Sequence, residues 1–280
     1  MRLENEGRVI VRRIFIACQG WNYKDWITLD EPVFYPRGTQ IDQMLSIYSE
    51  VFDAVEVDST FYAIPNKSVV ESWYRKTPEW FRFALKMPRE ISHEKFLSKE
   101  SFKTLEAFID AACVLQDKLM AILIQLPPYF EANRTNALNL RDFLRQLPKH
   151  LNFVIEFRQD KWLIDWTFNE LNHNNVSLCL VEGEWISREK MFQAIEYIKN
   201  DFCYVRFMGK RDITTFDRIV RPQDENLIIW KKALELSSAE TLLISFSNFY
   251  EGFAPESANK MRKLFGLEPR MPVDRQASLF

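Results

Sequence analysis

The order of patterns along the chain predicts an α/β fold: a single (β/α)8 TIM-type barrel with a short C-terminal extension. Three observations carry this expectation. Eight short runs are rich in β-branched and aromatic residues, amphipathic stretches separate most of them, and no Pro/Gly/Ser-rich linker divides the chain. Strands that alternate with helices need crossover connections, which are right-handed and produce a parallel sheet. Eight such units in about 250 residues fit a closed barrel better than an open sheet. The barrel is expected over residues 1–267 and the extension over 268–280.

In chain order, the first strand is IFIAC (14–18), followed by the helical pattern QIDQMLSIYSEVF. AVEVDS (54–59) precedes KSVVESWYRKT, and FRFALKM (81–87) precedes the long pattern ESFKTLEAFIDAACVLQDK. MAILIQL (120–126) leads to ALNLRDFLRQL, and NFVIEFR (152–158), VSLCLV (176–181) and CYVRFM (203–208) follow. DENLIIWKKALELS then precedes the eighth strand, TLLISFS (241–247). Each helical pattern repeats apolar residues at three- and four-residue spacing, the signature of one buried face. From Glu268 the sequence EPRMPVDRQASLF mixes prolines and charges and reads as an extended tail.

Composition narrows the function classes. The chain is 47% hydrophobic and 27% charged, and 37 Lys+Arg against 39 Asp+Glu leave a net charge of −2. Bulk charge therefore does not hold it on nucleic acid, and strong direct nucleic-acid binding is not expected. No apolar run reaches the roughly 18 residues of a membrane helix, and no export signal is visible at the start, so a cytoplasmic protein without a membrane partner is expected. The 4 cysteines (Cys18, Cys113, Cys179, Cys203) are far apart among apolar neighbours and read as reduced core residues. With 7 glycines and neither G-x-G-x-x-G nor a Walker loop, a nucleotide-dependent dehydrogenase or P-loop enzyme is disfavoured, and no organic cofactor is expected.

Period-two alternation identifies the polar residues that face the barrel interior. Glu56 and Asp58 share a face of their strand, Lys86 lies opposite the large apolar residues of its own, and Glu156 shares a face with Arg158. Arg206 falls between Val205 and Phe207, Gln125 closes the fourth strand, and Asn248 follows the eighth. Three acids then balance three bases. A self-neutralising ion-pair network is one reading, but each buried ion carries a penalty of several kcal/mol. Charges at the carboxyl ends of barrel strands are also where this fold builds its sites, which favours a functional pocket.

The same residues carry a family resemblance. G-W-N-Y-K-D-W (20–26), F-Y-P (34–36), V-E-V-D-S-T-F-Y-A-I-P (55–65), W-x3-T-P from Trp73, and F-R-F-A-L-K (81–86) with Ser92-His93 occur in order. Q-L-P-P (125–128), V-I-E-F-R-x3-W (154–162), V-R-F-M-G (205–209) and F-S-N-F-x-x-G-x-A (246–254) follow. The chain resembles the YecE-like family, known as the domain of unknown function 72, over about residues 14–266. The resemblance implies a (β/α)8-type barrel and supplies no reaction. Two departures stand out: Met208 replaces a family histidine, and Ser247-Asn248 replaces paired asparagines.

The chemistry these residues suggest is that of paired carboxylates. The 3 histidines do not build a multi-histidine zinc site. A hard cation on Glu56, Asp58 and Glu156 would compete with Lys86 and Arg158, so no metal is assigned. No G-x-S-x-G elbow is present. Glu56 and Glu156 are instead candidates for acid and base, oriented by Asp58, if Lys86 and Arg158 split their pKa values. Lys86, Arg158 and Arg206 are expected to face an anionic ligand, with Gln125, His93 and Asn248 around them. Trp21, Tyr23, Tyr62 and Trp162 would stack on a sugar or a base. The chain therefore reads as a cofactor-independent hydrolase or lyase acting on a phosphorylated, nucleotide or sugar-containing substrate, or as a non-catalytic binder of such a ligand. A separate reading concerns Gln276-Ala277-Ser278-Leu279-Phe280, which resembles the peptide that docks bacterial proteins on the sliding clamp. Gln276, Leu279 and Phe280 would be the contacts, tethering a DNA-associated accessory protein; the alternative is a tail packed on its own barrel.

Overall fold

The computed structural model describes residues 2–5, 8–27 and 33–272. Eight parallel strands close a barrel: β1 Arg13–Gln19, β2 Ala54–Val57, β3 Arg82–Lys86, β4 Leu119–Gln125, β5 Phe153–Glu156, β6 Val176–Glu182, β7 Phe202–Phe207 and β8 Thr241–Phe246. Closure runs through β8 and β1, with Thr241 opposite Arg13 and Phe246 opposite Cys18. The helices are α1 Ile41–Val51, α2 Lys67–Lys76, α3 Phe102–Ala112, α4 Arg134–Leu144, α5 Asp165–His173, α6 Arg188–Ile195, α7 Asp224–Glu235, α8 Asn248–Glu251 and α9 Ala254–Leu264. The expected fold is therefore the observed one. Among the described residues, no helix is long and apolar enough to cross a membrane.

Alternation along the strands divides two cores. Val55, Val57, Phe83, Leu85, Phe153, Ile155, Val205 and Phe207 point outward into a cluster shared with the helices. Ala17, Ala54, Ala84 and Ala121 point inward from β1–β4, together with Leu123, Val154, Cys179, Tyr204 and Leu243. Four small residues on adjacent strands leave the interior space that the long side chains of β7, Tyr204 and Arg206, occupy; both are fully buried.

Several details differ from the sequence reading. An antiparallel hairpin, Arg2–Asn5 with Arg8–Val11, precedes the barrel where no element was expected. The single helix expected over 100–118 stops at Ala112, and 3-10 turns continue over Cys113–Lys118, with Gln116 at φ 50°. The chain must turn there to deliver β4, and Lys118 pins the turn by donating to the Tyr74 and Thr77 carbonyls at 2.6 and 2.7 Å. Cys113 is exposed at this turn, which corrects the expectation of four core thiols; Cys18, Cys179 and Cys203 are buried. Asp58 and Arg158 lie just beyond the ends of β2 and β5 rather than inside them.

The extension begins attached to the barrel. Arg270 and Asn259 exchange two hydrogen bonds of 3.0 and 2.8 Å. Asp53, the residue before β2, pairs with Arg262 and Arg270 at 3.2 and 2.9 Å. Residues near Pro272 are thus held at the amino-terminal end of the strands. Gln276, Leu279 and Phe280 lie outside the described residues.

Two positions clamp the ends of elements. After β7, a Cβ on Gly209 (φ +65°) would sit 2.1 Å from the Phe249 carbonyl oxygen, so only glycine lets this loop touch α8. Before β1, buried Arg12 donates to the carbonyls of Leu234, near the carboxyl end of α7, and of Ser237 and Ala239 just beyond it. Arg12→Met removes these donors without emptying the space. The unfolding free energy from urea titration should fall by about 2–4 kcal/mol.

Candidate functional site

Depressions open at both ends of the barrel. The one at the amino-terminal end, about 450 Å³, is lined by strand starts such as Arg13, Arg82, Asn152 and Thr241. Its two arginines are engaged locally, Arg82 with the Glu79 and Phe81 carbonyls and Arg13 with Thr241. The cleft at the carboxyl end, about 480 Å³, gathers Gln19, Asp58, Lys86, Glu156, Arg158 and Arg206. It lies where this fold places its sites, and buried ionisable groups converge on it alone of the two.

Its floor is built on Arg206. The guanidinium grips Glu56 in a fork, Nε to Oε2 at 2.9 Å and one terminal nitrogen to Oε1 at 2.5 Å, and its other terminal nitrogen donates to Glu156. Glu56 Oε2 also accepts hydrogen bonds from the Ser245 hydroxyl, at 2.9 Å, and from the Tyr204 hydroxyl. Arg158 Nε donates to the second oxygen of Glu156 at 3.1 Å. Side chains from β2, β5, β7 and β8 therefore meet in one network. Burial alone would favour neutral Arg206, but Glu56 and Glu156 hold it charged, its pKa raised well above the ordinary value. Burial likewise pushes Glu156 up, but Arg206, Arg158 and Lys86 outweigh it and hold its pKa below the ordinary value. Glu156 is thus an anion at neutral pH, with the protonation of a hydrogen-bond acceptor or a base rather than of an acid.

Lys86 stands on the wall of the cleft at the end of β3. Its Nζ lies 3.4 Å from Asp58 Oδ1 and 4.3 Å above the Phe61 ring. Asp58 turns toward Lys86, because it has left the strand for an αR turn (φ −79°, ψ −22°). Thr60 fastens that turn to β3 by donating to the Val57 and Lys86 carbonyls at 2.9 and 2.7 Å. Burial lowers the Lys86 pKa, Asp58 opposes the shift, and Arg206 adds to it. His93, in a π-helical turn over Glu90–Glu94, packs edge-on against Phe61 and shares a 2.8 Å hydrogen bond with the Ser92 hydroxyl. Burial, with Lys86, Arg158 and Arg89 adding repulsion, pushes its pKa down to about 4, so the imidazole is neutral at pH 7.

Of the residues named from sequence, Tyr23, Asp58, Tyr62, Lys86, Glu156, Arg158 and Arg206 line the cleft. Glu56 and Gln125 are buried, and Gln125, opposite Glu156 in the sheet, leaves Oε1 without a partner. Others are occupied elsewhere. Trp162 stacks on Phe130 and Phe157 and donates to the Phe130 carbonyl at 2.9 Å, and Trp21 packs edge-on against Trp73. Asn248 opens α8 and accepts from the Trp26 indole and the Ala254 amide. The cleft also includes Gln19, Glu184, Trp185, Met208, Arg211 and Phe249, which sequence reasoning passed over as site residues. Gln19 donates to the Met208 sulfur at 3.1 Å, and the Trp185 ring lies 5.7 Å from the Arg158 guanidinium. Their one available signal is position: Trp185 and Arg211 follow the sixth and seventh strands, where this fold concentrates its functional loops. The carboxylates weighed for a cation already face Arg206, Arg158 and Lys86, and among the described residues no group of three or more His, Cys, Asp and Glu is arranged to hold a metal.

Comparison with known proteins agrees with the fold. A family model described as a protein of unknown function, DUF72, matches residues 15–278. The UPF0759 protein YunF of Bacillus subtilis is 25% identical over 291 residues, spanning 95% of this chain and 100% of its own. The UPF0759 protein YecE of Escherichia coli is 28% identical over 149 residues, 53% of this chain and 50% of its own. A DUF72 family structure from Thermotoga maritima superposes with a TM-score of 0.74 at 23% identity, covering 91% of this chain and 100% of that one. One from Enterococcus faecalis gives 0.72 at 21%, covering 94% and 99%. At these identities the structural likeness carries the fold.

Two measurements test the electrostatics. Arg206→Met leaves two buried carboxylates without their counter-charge, and should lower the unfolding free energy at pH 7 by about 3–5 kcal/mol. Adding Glu56→Gln should restore part of that loss in the same urea titration. The second concerns pH. His93 has a folded pKa of about 4 against an ordinary 6.5, so between these values the unfolded chain binds the additional proton. This contribution is complete above pH 6.5 and is lost as pH falls toward 4. His93→Asn should flatten stability across that window, leaving the loss at lower pH that follows from the depressed pKa of Glu156.

Proposed function

Since the chain belongs to the DUF72 family, whose description names no reaction, we propose a function from the cleft itself: an anion-accepting pocket for a small phosphorylated ligand, acted on by hydrolysis or lyase chemistry without an organic cofactor. The observation that carries this reading is the set of unspent donors. Arg158 uses only Nε on Glu156, and Lys86 Nζ makes no hydrogen bond among the described residues. Arg211 lies on the same lining. The carboxylates Glu56 and Glu156, by contrast, are already engaged by Arg206. What the cleft offers an incoming molecule is therefore mainly N–H groups, the arrangement that recognises phosphate or carboxylate oxygens. Tyr62 and Trp185 are exposed beside these donors, offering faces for a sugar or base. The three buried, free thiols fit a reducing compartment, and we infer the cytoplasm.

Calorimetric titration with inorganic phosphate, then with small sugar phosphates, tests the pocket. Arg158→Met should weaken binding about tenfold or more, or about 1.4 kcal/mol, and thermal stability should rise with ligand concentration in wild type. If phosphate neither binds nor stabilises the wild-type protein, the ion-pair network is structural. A phosphatase, phosphodiesterase, glycosidase and lyase screen then separates an enzyme from a binder. Turnover abolished by Glu156→Gln supports catalysis, and binding without turnover supports a sensor.

A further inference from the structure

We propose that Lys86 is a nucleophile, its amine condensing with the carbonyl carbon of a small anionic aldehyde or ketone to form an imine. This inference rests on the anion-accepting reading of the cleft and narrows the substrate to a carbonyl compound carrying a phosphate or carboxylate.

The argument begins with a comparison of two buried lysines. Lys118 is 3% exposed and spends its ammonium on the Tyr74 and Thr77 carbonyls and the Thr77 hydroxyl. Burial lowers the pKa of Lys118 too and its Nζ lies 4.2 Å from the Tyr74 ring, but these three acceptors replace the water its ammonium gives up, as for a structural lysine. Lys86 is 8% exposed and makes none of these bonds. Its Nζ has an aromatic face 4.3 Å away, a carboxylate oxygen at 3.4 Å, and the cleft. Burial strips an ammonium so placed of hydration, while the Asp58 carboxylate and the Phe61 face favour the charge; burial outweighs them and the pKa is lowered, toward the free amine, the nucleophilic form. The charged groups acting on it are Asp58, Glu56 and Glu156, which favour the ammonium, and Arg206, which together with burial opposes them.

The surroundings supply the remaining parts. Asp58 Oδ1 is buried, makes no hydrogen bond, and is positioned to take a proton from Nζ. The amine then attacks the carbonyl carbon, and a C–N bond forms as the C=O electrons move to oxygen. Protonation of that oxygen and loss of water break the C–O bond. The balance is ammonium plus carbonyl giving protonated imine plus water, with no oxidant or reductant. The terminal nitrogens of Arg158 would hold the anionic substituent.

The test traps the imine. Full-length protein is incubated with glycolaldehyde phosphate, and separately with pyruvate, in the presence of cyanoborohydride, and alkylated lysines are located by peptide mass mapping. Labelling should concentrate at Lys86, about tenfold or more above surface lysines, the direction that a lowered amine pKa favours. Inorganic phosphate should slow it, and Lys86→Arg should abolish it. The wild-type map decides even if a variant fails to fold. Phosphate binding by calorimetry with no enrichment at Lys86 overturns the imine and leaves the anion pocket standing. Enrichment at Lys86 that phosphate does not affect supports the imine and rejects the pocket as the anion site. Neither binding nor enrichment overturns both.

Discussion

The fork between Arg206 and Glu56, extended to Glu156, is the constraint around which the carboxyl end of the barrel is arranged. Two buried carboxylates lie within hydrogen-bond distance of one buried guanidinium, the three side chains drawn from strands that are not neighbours in the ring. Separately, each would carry a desolvation penalty of several kcal/mol. Together, with the Ser245 and Tyr204 hydroxyls and Arg158 satisfying further lone pairs, the network is closed. The hydrophobic effect alone does not specify which strands face one another across a barrel, whereas a forked ion pair with one acceptable geometry does.

This network also sets the chemistry above it. Arg206 engages both oxygens of Glu56 and one of Glu156, so of the wall cations only Arg158 reaches a floor carboxylate, through the second oxygen of Glu156, among the described residues. Among the described residues, Lys86 then pairs with Asp58 alone, and Arg158 makes its hydrogen bond through Nε. The four alanines of β1–β4 belong to the same design, since larger residues there would fill the space that Tyr204 and Arg206 take up. Neutral His93 follows as well, because burial, with Lys86, Arg158 and Arg89, disfavours a further positive charge.

Much of this was legible in the chain, for reasons specific to each residue. Period-two alternation located Glu56, Lys86, Glu156 and Arg206 because each lies on a strand between two outward apolar residues or beside one. It misjudged the partner of Asp58, since alternation ends where the strand ends. Trp162 illustrates a different limit: an indole in a loop looks the same in sequence whether it faces a ligand or stacks on Phe130 and Phe157. Trp185 and Arg211 carry no periodic signal at all. Arg12 and Lys118 act through carbonyls remote in sequence, which no local pattern records. The stop of α3 at Ala112 likewise depends on where β4 must begin, a tertiary demand that overrides a continuous amphipathic pattern.

The attachment of the extension has a practical geometry. Asp53, flanked by Arg262 and Arg270, and the reciprocal bonds of Asn259 hold residues 268–272 at the pole of the barrel where its strands begin. The cleft opens at the other pole. A dye, an affinity handle or a surface linkage joined next to Pro272 would start from the back of the molecule, with the cleft mouth directed away from the support. The protein can therefore be oriented on a sensor chip by this end while its donors stay open to solution.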